Sequence, residues 1–330
     1  MVWASQTMSR VRRALAFGFF SCAFASGAIA QQYPTRPIRI VVPSAPSTPP
    51  DLVARVLAAE LQRAEGWTVF IENKAGGVQT IAGRDVAQSP PDGYSIFAPS
   101  MVSAAARSLL PSSRLDMERD FAPVIKATVS YNVLVVTPRL EAHSVADLVA
   151  LIKAKPGVLN YASGGFGTPA HLIGELFKLN QHANAVHVPY QQFPIALSDM
   201  LSGVDDYMFV TTLPVAELVK AGKLRALAVT SPKRMEAFPG VPTIAEQGLP
   251  ELAIQDWVGF TMPAKTPEAV VSIMNAAMNK ALQAEQVKVS LARVGADPAG
   301  GSPAEFKSFI ASEVKTWERT IKDANIKMDN

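Results

Sequence analysis

Short β-branched runs alternate along the chain with stretches whose apolar residues recur every three to four positions. Ile38 to Val42, Val69 to Glu72, Ser95 to Ala98, Val133 to Thr137, Leu159 to Ala162, Tyr207 to Val210, Leu224 to Thr230 and Val258 to Met262 read as strands. Between them, Leu52, Val53, Val56, Leu57 and Leu61 share one helical face, as do Val145, Leu148, Val149, Leu151 and Ile152. Such alternation predicts an α/β protein with mainly parallel sheets. Helix starts are marked by a hydroxyl residue followed by proline at Thr168-Pro169, Thr266-Pro267 and Ser302-Pro303, the last with Glu305 in place for a capping box. Asp51 stands where an N-cap is expected for the helix from Leu52. One sheet spanning 300 residues would be unusual, so two domains are expected, with ordered crossings near Val133 and Val258 in place of a flexible linker.

The first 30 residues break this pattern. Arg10, Arg12 and Arg13 precede an apolar run from Ala14 through Ala25 and the small-residue site Ala28-Ile29-Ala30. This order predicts a secretory signal cut after Ala30, hence export to the periplasm. Arg12-Arg13 leaves twin-arginine export open, and Cys22 leaves lipidation open. The run is too short and too diluted to span a bilayer, and no later segment is long enough.

Composition narrows the chemistry. The formal charge of +3 comes entirely from the three arginines before Gln31, so the rest of the chain is neutral, which argues against a nucleic-acid partner. Cys22 is the single cysteine, and a cut after Ala30 leaves none for thiol chemistry or a zinc cluster. His143, His171, His182 and His187 show no metal-ligand spacing, no phosphate loop or nucleophile elbow is present, and no nucleophile–base pair is visible. The adjacent Asp205 and Asp206 read as a solvated loop end rather than a catalytic dyad. No cofactor, metal or catalysis is expected.

Three polar loops follow strands. Leu159 to His171 runs strand, Gly-rich turn, helix, and Gly165-x-Gly167-x-x-Ala170 formally meets the loose dinucleotide fingerprint. The acidic residue that a ribose would need about 20 positions on is missing, since His187-Val-Pro-Tyr190 stands there. Amides at a helix N-terminus favour an anion, with hydroxyls from Ser163 and Thr168 and open backbone at Gly164 and Gly167; an ordinary turn and cap fits the same residues. The loop from Pro43 to Asp51 brings Ser44, Ala45, Pro46, Ser47 and Thr48 to a strand end, and Ser100 follows another.

These residues stand within a longer series: Tyr33-Pro-x-Arg-Pro-Ile-Arg-Ile-Val-Val-Pro43, Ile71-Glu-Asn73, Gly76-Gly77, Pro91-Asp-Gly-Tyr94, Asn160-Tyr-Ala-Ser163, Gly167-Thr168, His187-Val-Pro-Tyr190, Ala221-Gly-Lys-Leu-Arg-Ala-Leu-Ala-Val-Thr-Ser231 and Val241-Pro-Thr243. In this order, from Tyr33 to about Lys327, the chain resembles the Bug-type periplasmic receptors of tripartite tricarboxylate transporters. The resemblance implies a two-lobed periplasmic-binding-protein fold of type II kind with a ligand cleft between the lobes. It implies one lobe from residues 31–131 plus 255–330 and another from 132–254. It further implies a monomer that captures a small organic carboxylate and hands it to membrane permease subunits, without catalysis. An extracytoplasmic sensor, or a hydrolase or isomerase on the same scaffold, are the alternatives.

By that resemblance the loop after the first strand, from Ser44 to Thr48 with Asp51, faces the turn of Ser163, Gly164, Gly167 and Thr168 across the cleft. Ser100, His171 and Val210 complete the candidate set. Family members usually carry several glycines at Ser47-Thr48-Pro49, Lys-Gly-Gly where Gln191-Gln192-Phe193 stands, and an acidic or polar residue at Val210. With Phe166 and Phe193, these departures point to a more apolar ligand than a simple tricarboxylate.

Overall fold

The computed structural model describes residues 33–190 and 192–326. The signal sequence expected before Gln31, Gln191 and the last four residues lie outside the described residues. The chain runs β1 (Ile38–Val42), α1 (Pro49–Glu65), β2 (Val69–Asn73), α2 (Thr80–Ala87), β3 (Ser95–Phe97), α3 (Met101–Leu109), β4 (Phe121–Val136), α4 (Val145–Ala154), β5 (Asn160–Ser163) and α5 (Pro169–Gln181). It continues through β6 (Val186–Pro189), α6 (Phe193–Ser202), β7 (Tyr207–Thr211), α7 (Ala216–Lys220), β8 (Arg225–Val229), β9 (Gln255–Pro263), α8 (Glu268–Gln283), α9 (Glu285–Ala292), β10 (Asp297–Pro298) and α10 (Pro303–Asp323).

All eight expected strands form, and the helices bury the faces their spacing marked: Val53, Leu57 and Leu61 in α1, and Val145, Leu148, Val149 and Ile152 in α4. The strands join in the order β2-β1-β3-β9-β4-β7-β5-β6, with β8 and β10 also paired to β4. The expectation of mainly parallel sheets needs correction. β1 with β2 and β3, and β5 with β6 and β7, are parallel, but every pairing of β4 and β9 is antiparallel. β4 is responsible. Its 16 residues pair with β9 as far as Tyr131 and with β7 and β8 from Asn132, so one strand serves both halves of the sheet.

Each half has its own core. Val41, Phe97, Phe121, Trp257, Phe306 and Trp317 pack together in the first. In the second, β4 and β7 are buried on both faces: Leu134 and Phe209 enter one cluster, Val133 and Val210 the other, as the two-residue period of a strand requires.

Registers fix which ends meet. Thr211 at the end of β7 pairs with Asn132, and Ser100 bridges to Val258, itself paired with Thr128. The carboxyl ends of the parallel strands in both halves therefore turn toward the crossing at Tyr131–Asn132, the place where open α/β sheets bind ligands.

Candidate functional site

The first loop is braced from beneath. Asp51 is not an N-cap: α1 begins at Pro49, Thr48 holds the cap position, and Asp51 lies buried in the first turn. Its carboxylate accepts from Ser47 N and Arg55 Nε at 2.9 Å and from Asn73 Nδ2 at 2.9 Å. Burial raises the Asp51 pKa, but the hydrogen bonds from Arg55, Asn73 and Ser47 outweigh it and hold the carboxyl below its ordinary value. Ser47 sits at φ 66°, a left-handed position that this brace stabilises. Thr48 Oγ1 donates to Ala45 O at 2.7 Å, so Ser44 Oγ, 2.6 Å away, donates in turn to Thr48. Both hydroxyl protons are spent inside the loop. Pro49 and Pro50 add no amide to the start of α1, and Ala45 and Pro46 are exposed.

The turn from Ser163 to Thr168 is organised differently. Thr168 holds the N-cap position of α5, yet its hydroxyl caps nothing and donates to Gly165 O at 2.7 Å. Gly167 N donates to His171 Nδ1 at 3.0 Å, which puts the imidazole proton on Nε2. Ser163, fully buried, accepts from Gly165 N and lies 2.6 Å from His187 Nε2. The His171 and His187 rings stack at 4.2 Å, Tyr161 stacks on His187 at 4.9 Å, and Phe166 meets both histidines edge-on. Burial, opposed by Glu175, pushes the His171 pKa down to about 4; burial and the neighbouring His171 push His187 down to about 3. Both rings are neutral at neutral pH. The amides of Gly164, Phe166, Ala170 and His171 have no protein acceptor among the described residues, and the dipole of the 13-residue α5 stands behind them.

Ser163 and His187 thus form a hydroxyl–imidazole pair that was not visible in the sequence. Orienting His187 as a base would require an acid on Nδ1, and that atom is buried without a partner.

Ser100 is the N-cap of α3, in a capping box with Ser103, and it receives a side chain that sequence reasoning missed. Between β2 and α2, Gly76, Gly77, Val78 and Gln79 all have positive φ, from 53° to 114°. Gln79 Nε2 donates to Ser100 Oγ at 2.9 Å, and Ser103 Oγ donates to Gln79 Oε1. Gly76-Gly77 signals a turn, but nothing in the sequence extends left-handed backbone to Val78 and Gln79.

Three expectations are corrected. Val210 is 4% exposed inside an apolar cluster, and Phe193 packs against that cluster, so neither joins the polar loops; Phe166, 38% exposed, remains beside them. Asp205 is not solvated but fully buried, with its Oδ2 2.8 Å from Tyr190 Oη. The helix expected at Pro267 begins at Glu268, and Thr266 donates to Pro263 O.

A family described as "Tripartite tricarboxylate transporter family receptor" matches residues 53–326. The chain belongs to this family. Protein BugT of Bordetella pertussis is 34% identical to this tripartite tricarboxylate transporter receptor over 97% of the chain and 99% of BugT. Among solved structures, Rpa4515 of R. palustris with adipate is 33% identical with TM-score 0.77, over 90% of this chain and 99% of that one. MatC of Rhodopseudomonas palustris with bound malate is 28% identical with TM-score 0.75, over 88% and 100%. The periplasmic binding protein BugD is 28% identical with TM-score 0.76, over 90% and 100%. The receptor has the mixed α/β fold of periplasmic binding proteins.

Proposed function

We propose that this receptor captures a small organic carboxylate in the cleft at the Tyr131–Asn132 crossing, as a monomer, and delivers it to the permease subunits of a tripartite transporter. The observation that carries this reading is the group of amides at Gly164, Phe166, Ala170 and His171 that have no protein acceptor among the described residues, on the turn before α5 and its first residues, with no acid in the turn. Relatives that hold malate and adipate support it. The lobes are residues 31–131 with 255–330, and 132–254. The mature chain starts at Gln31 in the periplasm. Intact mass of periplasmic material tests that start, and a lipidated Cys22 overturns it.

Hydrolysis has Ser163 and His187 in its favour. Against it, Ser163 is fully buried and His187 Nδ1 lacks an acid. A thermal-shift and calorimetry panel of aliphatic and aromatic carboxylates, each beside its neutral amide, decides the matter. Carboxylates are expected to stabilise the protein and remain chemically intact, while the amides give little shift. Equal stabilisation by an amide, or turnover of the ligand, overturns the reading.

A further inference from the structure

Two consecutive residues other than glycine hold left-handed backbone at the end of the loop between β2 and α2: Val78 at φ 53° and Gln79 at φ 68°. A β-branched side chain is a poor occupant of that region, and such strain persists where the surroundings impose it. Gln79 also stands at the N-cap position of α2 without capping it. Its side chain instead crosses to the loop after β3. Ser103 Oγ, which accepts from Ser100 N, donates to Gln79 Oε1, and Ser100 Oγ lies 3.0 Å from the same oxygen, so two serine hydroxyls orient the carboxamide. Nε2 then spends one proton on Ser100 Oγ. Its second proton has no protein acceptor among the described residues, and Gln79 is only partly covered.

This unspent donor lies at the carboxyl ends of β2 and β3, on the edge that turns toward the crossing. The lysine of the same loop, Lys74, is committed to Glu72 and Asp85. The carboxamide is thus a neutral donor on the first-half wall. It is held there by a backbone geometry that glycine would adopt without strain.

We infer that Gln79 is a specificity-determining residue whose carboxamide donates to an acceptor at the far end of the ligand, so that the receptor takes carboxylates carrying a second carboxylate or a carbonyl and rejects those ending in an ammonium. This rests on the carboxylate reading above. The test compares α,ω-dicarboxylates of four to eight carbons with the ω-amino acids of matching length, by calorimetry on wild type, Gln79→Glu and Gln79→Gly, with a melting curve for each.

Wild type is expected to prefer the dicarboxylate. Gln79→Glu, which points an anion at the same place, should weaken the best dicarboxylate by at least ~10-fold and shift preference toward the amino acid, the scale of a lost hydrogen bond to a charged group. Gln79→Gly relieves the backbone strain but removes the partner of the buried Ser100 and Ser103 hydroxyls, so its melting curve is read separately from affinity, and it should bind about 10-fold more weakly. Selectivity unchanged in both variants, or unchanged affinity in Gln79→Gly, overturns the inference and leaves the carboxylate reading standing. A wild type that binds no carboxylate overturns both. Should Gln79→Glu fail to fold, Gln79→Ala takes its place, with loss of dicarboxylate preference expected and its retention fatal.

Discussion

At the scale of residues, buried titratable groups near the crossing make opposite contributions to stability as pH changes. Asp256 pairs with Ser130 in register, accepts from Asn132 Nδ2 at 3.1 Å, and has its Oδ1 buried without a partner. Burial, partly offset by Asn132, pushes its pKa up to about 6. A raised folded pKa means stability that is present below the unfolded value of 3.8 and is lost as pH rises toward 6. Asp256→Asn keeps an oxygen for Asn132 and removes that loss. The variant should therefore match wild type at pH 4 and exceed it at pH 7, by up to about 3 kcal/mol at 1.4 per unit; urea unfolding at the two pH values checks this. The histidines act the other way. Their folded pKa values are depressed, so their contribution is present above 6.5 and is lost as pH falls toward about 4 for His171 and about 3 for His187. His187→Gln should flatten the acid limb by about one proton, near 1.4 kcal/mol per pH unit between pH 6 and 4.

At the scale of elements, close approach and capping set the geometry around β9. A Cβ on Gly259 would meet Phe306 Cζ at 2.1 Å and Ile125 O at 3.0 Å, so β9 reaches α10 and β4 only because that position has no side chain. Gly259→Ala should destabilise by ~1–3 kcal/mol or more through overpacking, visible as a lower denaturant midpoint with an unchanged slope. α10 is positioned from its start as well, because Ser302 Oγ accepts from Glu305 N while Glu305 accepts from Ser302 N. That box places Phe306, Ile310, Trp317 and Ile321 on one buried face. Ser302→Ala should cost ~1 kcal/mol in the same measurement. This cap was legible in the sequence, whereas Asp51 was misread. Local spacing identifies an acid near a helix start, but the brace from Asn73, 22 residues away, depends on β2 lying beside β1.

At the scale of the whole molecule, one continuous strand, β4, belongs to both halves of the sheet. Bending near Tyr131–Asn132 is the motion expected when a ligand is gripped from both sides. Saturating carboxylate should reduce the radius of gyration in X-ray scattering. It should also add about 2.7 kcal/mol of stability at a hundredfold excess over Kd. A ligand that raises the melting temperature without compaction would show that it is held by one half alone.

The amino-acid sequence by itself determined the elements whose signals are local: β1 and β9 from β-branched runs, α1 and α4 from helical spacing, and the α10 start from Ser302, Pro303 and Glu305. It also marked the stretch from Ser163 to Thr168 as a Gly-rich turn between a strand and a helix, because glycines and the Thr168-Pro169 start are local signals. Only the tertiary structure decided the rest. The first part of β4, from Phe121 to Asn132, is missing from the strands expected of the sequence, where Pro123 and Lys126 interrupt the apolar run, and it becomes a strand through pairing with β9. His187 is remote in sequence from Ser163 and meets it because β5 and β6 pair in parallel. Gln79 reaches Ser100 through left-handed backbone that no glycine announces. Local propensity depends on neighbours in the chain, whereas a binding site is made by residues that only the packed sheet brings together.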